Sequence, residues 1–201
     1  MSMQIFKYQE KNIIFSVIQG VVLGQTKYTE THVSSSGGGG YVGKHGGKIE
    51  APTIDSEIIT KHEFWIKKSD GVEQCIKLTD CDIPVRTGQH VSVISAKLQD
   101  SNKKQFVALI NHNAKRHWMI NTAEELNKQL GIETITGMSL MISIGIWFLL
   151  GMLFSSVIFG GLVAFITLAT RAIMKTNKIT EVNDNLKKHI NQLIRDIESQ
   201  C

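Results

Sequence analysis

From Thr134 to Thr170 the chain runs for 37 residues without a charged side chain, whereas the rest alternates polar and apolar residues in short steps. A helix crossing hydrocarbon needs roughly 20 apolar residues, and a core of about 30 Å is overshot by a straight helix of about 55 Å. The run therefore predicts two short spans, about Thr134 to Leu150 and about Leu153 to Ile173, with a tight turn near Gly151 to Ser156. Cationic Arg171, Lys175, Lys178, Lys187 and Lys188 follow it, and such flanks stay cytoplasmic. The polar segment before the block carries no leader, so a hairpin with both termini cytoplasmic is expected, where a single span would force one flank across. Ser156, Gly160 and Ala164 recur every four residues, the spacing of a helix-packing seam.

Upstream, the period is that of strands. Thr26 to Val33 alternates, and Glu57 to Lys67 places Thr60, His62, Phe64 and Ile66 on one face. Ser69-Asp70-Gly71 then turns the chain into Val72 to Leu78, a predicted hairpin. His90 to Ala96, Gln105 to Ile110 and Arg116 to Ile120 complete five short strands, which suggest a small, partly open barrel of SH3-like or OB-like type. Thr122-Ala123-Glu124-Glu125 matches a capping box opening a short helix to about Leu130.

Beyond the uncharged block, Ile179, Asn183, Leu186, Ile190, Leu193 and Ile197 recur at alternating spacings of four and three. With Asn183, Ile190 and Ile197 at a, and Ile179, Leu186 and Leu193 at d, these are the preferences of a parallel two-stranded coiled coil. The same stripe also suits an amphipathic helix lying on the barrel or on a membrane surface. Self-association and intramolecular packing both remain open readings.

Composition adds little. The net charge of +4 comes from scattered lysine and arginine pairs, whereas nucleic-acid binding needs clustered cations. Three cysteines, Cys75, Cys81 and Cys201, form no regular framework. The N-terminal stretch Ile13 to Leu23 is interrupted by Ser16 and Gln19-Gly20 and preceded by Glu10, unlike a secretory signal.

Seven of the 17 glycines fall between Gly37 and Gly47. Gly38, Gly43 and Lys44 meet the start of the phosphate-binding pattern GxxxxGK, but His45 stands where Ser or Thr should ligate magnesium, and Gly46-Gly47 follows where a helix should open. Gly38, Gly40 and Gly43 also satisfy GxGxxG, again without the helix. A glycine-dense loop gives both matches by chance. The tract reads as a flexible linker or, since a pure spacer has no need of Tyr41, Val42 and His45, as a glycine loop packed on the barrel or a backbone-rich ligand loop whose candidate binding residues are Gly38, Gly40, Tyr41, Gly43, Lys44 and His45. The histidines lack metal-ligand spacing, and Asp80 and Asp82 around Cys81 read as turn carboxylates. No catalytic residue, metal or cofactor is expected.

THVSSSGGGGYVGKHGG, HEFWIKKSDG and DIPVRTGQHVSVISA, followed by the apolar hairpin, together resemble bacterial inner-membrane proteins with a Ser/Gly-rich loop, a small β domain and a transmembrane hairpin. The resemblance implies an inner-membrane location and supplies no activity or site residues. The expected fold is an α+β membrane protein: an N-terminal segment with strands (1–36), a Gly-rich loop (37–47), a small cytoplasmic β domain (48–121), a connecting helix (122–133), a transmembrane hairpin (134–173) and a C-terminal amphipathic or coiled-coil helix (174–201). The expected function is that of a non-enzymatic, membrane-anchored interaction or scaffold protein. Alternatives are an accessory subunit of a transport or secretion complex and a ligand or nucleotide sensor using the Gly-rich loop. The expected partners are the lipid bilayer, further copies of the chain as a homodimer or higher homo-oligomer, and an unidentified protein, with no nucleic acid.

Overall fold

In a computed structural model, which describes residues 3–44, 46–134, 138–153 and 157–199, strand accounts for 47% of the protein and makes it a β-rich fold. The strands are β1 (Met3–Tyr8), β2 (Lys11–Ser36), β3 (Gly39–Gly43), β4 (Gly46–Glu50), β5 (Thr53–Lys67), β6 (Glu73–Thr79), β7 (His90–Leu98), β8 (Lys104–Asn111) and β9 (Arg116–Met119). The helices are α1 (Ala123–Leu130), α2 (Met138–Leu153) and α3 (Val157–Ser199). Hydrogen bonding orders the main sheet β6-β5-β2-β7-β8-β9, with β1 also paired to β2, while β3 and β4 form a separate ribbon.

The chain divides into two compact units. The first comprises residues 1–17, 93–110 and 119–201. Its core is built from alternating inward residues of strands, Ile13, Phe15 and Val17 from β2, Ile94 and Ala96 from β7 and Val107 from β8. Against them lie Leu126 and Leu130 of α1 and Val182, Leu186, Ile190, Leu193, Ile194 and Ile197 of α3. A helix buries such a stripe because residues three and four apart share one face. Thr122 caps α1 as the sequence predicts: its hydroxyl accepts from the Glu125 N–H, and the Glu125 carboxylate accepts from the Thr122 N–H at 2.8 Å. Gly131, at φ 63°, ends the helix in the left-handed conformation that glycine adopts without strain. Lys11 donates to the carbonyls of Gly131 and Ile132, both at 2.7 Å, and Glu133 forms an ion pair with Lys175 of α3.

The second unit comprises residues 18–92 and 111–118. Its core is Ile18 and Val22 of β2, Phe64 and Ile66 of β5, Ile76 and Leu78 of β6, and Ile83, Val85 and Val91 beyond. Val85 donates its N–H to the Ile83 carbonyl at 2.9 Å, closing a tight turn at Pro84 between two buried side chains, Ile83 and Val85.

Three expectations are corrected. The β region is no SH3-like or OB-like barrel: among the described residues the sheet is not closed. Instead β2 runs for 26 residues where the sequence showed separate short segments, and β5 and β7 both pair with it. Nor is a transmembrane hairpin present, since no helix among the described residues is long and apolar enough to cross a membrane. The 16 residues of α2 extend about 24 Å, short of a hydrocarbon core of about 30 Å. In α3, the uncharged side chains described from Leu162 onward meet Arg171 and continue into a charged helix. The multi-pass inner-membrane location, which rested on that hairpin, falls with it.

The helix stripe generates two predictions. Leu186 is fully buried, so Leu186→Ala should cost about 2–5 kcal/mol in chemical unfolding, while Lys187→Ala on the exposed face should change little. His189 sits between Phe6 and Phe15, at ring-centroid distances of 5.3 and 5.0 Å, with its buried Nε2 unpartnered. Burial lowers its pKa from the ordinary 6.5, against a smaller opposing effect of Asp196. The folded state then binds fewer protons than the unfolded chain, so this contribution is complete above about pH 6.5 and declines as pH falls below it. His189→Leu should flatten the fall in stability between about pH 7 and 5, as read by unfolding at each pH.

Candidate functional site

Two exposed surfaces carry features that folding alone does not require. The first is an arm made by the outer halves of β2 and β5. The two strands pair antiparallel from Val21 opposite Lys67 to Ser36 opposite Thr53, with a register shift between Val22 and Gly24. β6 accompanies β5 only from Lys61 to Lys67. Beyond that, Thr53 to Thr60 pairs with β2 alone, and both strands become solvent-exposed.

Opposed residues of an antiparallel pair share a face, and successive residues alternate faces. One face of the arm therefore carries Thr29, Thr31, Val33 and Ser35 of β2 with Ile54, Ser56, Ile58 and Thr60 of β5, without a charge. The other carries Glu30, His32, Asp55 and Glu57. Val33, Ile54 and Ile58 remain 66%, 67% and 68% exposed.

The base of the arm is tied down by polar contacts. Lys27 forms an ion pair with Asp82, and the Lys27 hydrogen bond holds the Asp82 carboxyl below the usual range. Asp80 donates its N–H to the Thr60 carbonyl at 2.8 Å, and its carboxylate accepts from the Thr60 N–H at 3.3 Å. The two aspartates thus bond backbone and lysine. His62 is fully buried, with Nε2 2.9 Å from Gln25 Oε1 and Nδ1 unpartnered. Burial, reinforced by Lys27 and opposed by Asp82, lowers its pKa. Tyr28 donates to Glu63 at 3.2 Å, and Lys77 lies 3.0 Å from the same carboxylate.

At the tip, the segment from Gly37 to Gly47 is organised as strand, turn and strand. Gly37 and Gly38, at φ 75° and 84°, lead into β3, which pairs with β4 from Gly39 opposite Glu50 to Gly43 opposite Gly46. Gly40 and Gly43 lie in β3, and Lys44 occupies the turn. Tyr41 is 75% exposed, and its hydroxyl would be 2.5 Å from a Cβ at Gly43, so the phenol lies over that glycine. His45 lies outside the described residues. No helix opens after the glycines, so the tip lacks the helix N-terminus that phosphate loops use.

The second surface is the helical hairpin, in which α2 packs along α3. Met141, Phe148 and Met152 of α2 and Phe165 of α3 are each about 70% exposed, at 70%, 69%, 74% and 71%. Of the small-residue seam, Gly160 lies in α3 and Ala164 is buried there, while Ser156 is outside the described residues.

The stripe read for self-association is occupied within the chain. Leu186, Ile190, Leu193 and Ile197 belong to the core of the first unit, and Asn183 accepts from Asn127 at 2.9 Å. Ile179 is half-buried beside a cleft of about 520 Å³ also lined by Glu124, Asn127 and Glu133. A smaller cleft of about 270 Å³ lies between the start of α1 and Asn183, Asp184 and Lys187 of α3.

Ser92 Oγ lies 2.7 Å from His112 Nε2, yet Ser92 is fully buried and out of a substrate's reach. Cys75 and Cys81 are free thiols, and burial raises both pKa values away from thiolate reactivity. No group of three metal-ligating side chains occurs among the described residues.

Sequence reasoning missed Val33, Ile54 and Ile58. The signal was there: through Ile54-Asp55-Ser56-Glu57-Ile58 every charge falls on one face and every neutral residue on the other. Compared with family models, curated proteins and solved structures, the chain matches none.

The base of the arm depends on Gly20. A Cβ there would stand 2.2 Å from the Lys67 carbonyl oxygen and 2.6 Å from Ile66 Cγ2. Gly20→Ala should cost about 1–3 kcal/mol through overpacking. Amide exchange should quicken from Lys61 to Lys67, and unchanged protection there would refute this role.

Proposed function

We propose that this chain is a non-enzymatic interaction protein, which holds a partner protein through the uncharged surface of its helical hairpin. The packed strands and helices of the first unit supply the support. The observation that carries this reading is the exposure of Met141, Phe148, Met152 and Phe165 on helices that bear no charge from Met138 to Thr170. Monomeric proteins rarely leave contiguous apolar surface open beyond a few hundred Å², and larger patches mark sites of association. Burying Phe148 and Phe165 contributes about 1.5–3 kcal/mol each, which offsets part of the ordering cost of association.

The chemistry of this surface selects its partner. With no charge or fixed hydrogen-bond pattern to read, it suits a partner that is equally apolar, such as an uncharged helix of a larger assembly. The chain would then act as an accessory subunit, with the hairpin as its attachment point.

Quantitative affinity purification of the wild type against Phe148→Glu and Phe165→Glu tests the proposal. A stoichiometric partner retained by the wild type and depleted at least tenfold by either substitution is the expected result. Identical partners in all three samples would overturn it, as would wild type recovered with lipid and no stoichiometric protein.

A further inference from the structure

The neutral face of the β2–β5 arm has no assigned occupant, and its pattern identifies one. We infer that it docks on the same face of a second copy of this chain. The inference is independent of the helical hairpin's role.

Three features of the arm lead there. A ribbon of two strands is marginally stable by itself, and stability needs a further layer over an apolar face. Yet Val33, Ile54 and Ile58 stand about two-thirds exposed on a ribbon whose outer part, among the described residues, has no further strand beside it. Something must cover them for the arm to hold this form.

The second feature is shape. Thr31 opposes Ile58, Val33 opposes Ser56, and Ser35 opposes Ile54. In each of these pairs the larger side chain faces a smaller one, and the larger member (Ile58, Val33, Ile54) switches strand at every step. Such a chequered surface fits itself: after a two-fold rotation, the large residues of one copy enter the small positions of the other. Facing sheets pack by this kind of interdigitation, and a two-fold interface must be self-complementary.

The third feature is charge. Bringing two neutral faces together opposes no like charges, and the serine and threonine hydroxyls can hydrogen-bond across the contact. The reverse face would set Glu30, Asp55 and Glu57 of one copy against those of the other, which is repulsive. Charge thus decides which face pairs and leaves the acidic face in water. It also blocks continued stacking into a fibre, the hazard of an uncharged β surface open on both sides.

Site-specific photocrosslinking of the full chain in cells tests this. A photoreactive phenylalanine at Ser56, on the neutral face, should yield an adduct of twice the chain mass containing only this protein. The same group at Asp55, on the acidic face, should yield at least tenfold less of it. Ile58→Lys should reduce the Ser56 adduct at least tenfold, whereas Ile59→Lys on the opposite face should preserve it. Should Ile58→Lys fail to fold, Thr31→Lys at an already exposed position makes the same test. Phe148→Glu should leave the adduct intact, which separates this contact from the hairpin's partner. No adduct from Ser56, an adduct with a different protein, or its loss in Phe148→Glu would each overturn the inference.

Discussion

At Gly20 the backbone of β5 comes so close to β2 that no side chain fits between them, and this approach sets the register of the two longest strands. The bulge between Val22 and Gly24 follows at once and re-aims β2. A slip of one residue would exchange the faces of everything beyond. His62, Phe64 and Ile66 would leave the core, and Glu57 and Asp55 would replace Ile58 and Ile54 on the neutral face. The interior of the second unit and the chemistry of its arm thus hang on one glycine. They also depend on the contacts just outside it, where Lys27 meets Asp82 and Asp80 bonds both polar backbone groups of Thr60.

In the first unit the governing interaction is burial of the α3 stripe. Leu186, Ile190, Leu193 and Ile197 lose almost all contact with water against α1 and the strands of that unit. A face buried in this way cannot also zip to a partner helix without unfolding its own core. Heptad spacing specifies which residues share a face, but it is silent on what covers the face. The nearby Asn127 and Asn183 pair shows the same economy: a residue placed to specify a coiled-coil register instead satisfies another amide of its own unit.

The two exposed surfaces differ in kind. The helical hairpin carries no charge from Met138 to Thr170, a property that would select an apolar neighbour without selecting its geometry. The arm is patterned residue by residue, neutral on one face and acidic on the other, and such patterning would select orientation as well as partner. A non-enzymatic module that holds one protein through the first surface and its own copy through the second would be a connector. Its function would lie in spacing and valency, while its buried Ser92 and half-buried Cys75 and Cys81 would serve packing.

Much of the local structure was legible from the chain. Alternation located the inner part of β5 and strands β6 to β9, Thr122 and Glu125 marked the start of α1, and the spacing from Ile179 to Ile197 marked one helical face. These are short-range properties, written in residues two, three or four apart. The β2 strand was not legible as one element, because Gly20, Gly24 and the polar run to Ser36 read locally as interruptions, and only pairing with β5 sustains them. The Gly37–Gly47 segment read as a loop for the same reason: glycine has no intrinsic strand preference, and the β3–β4 ladder supplies the hydrogen bonds. Whether the uncharged block could span a membrane depended on the lengths of its helices, since hydropathy counts residues without setting how far a helix such as α2 runs. The sequence by itself determined which residues could share a face. The tertiary structure alone decided which faces are covered, because coverage depends on partners distant in the chain whose register no local pattern encodes.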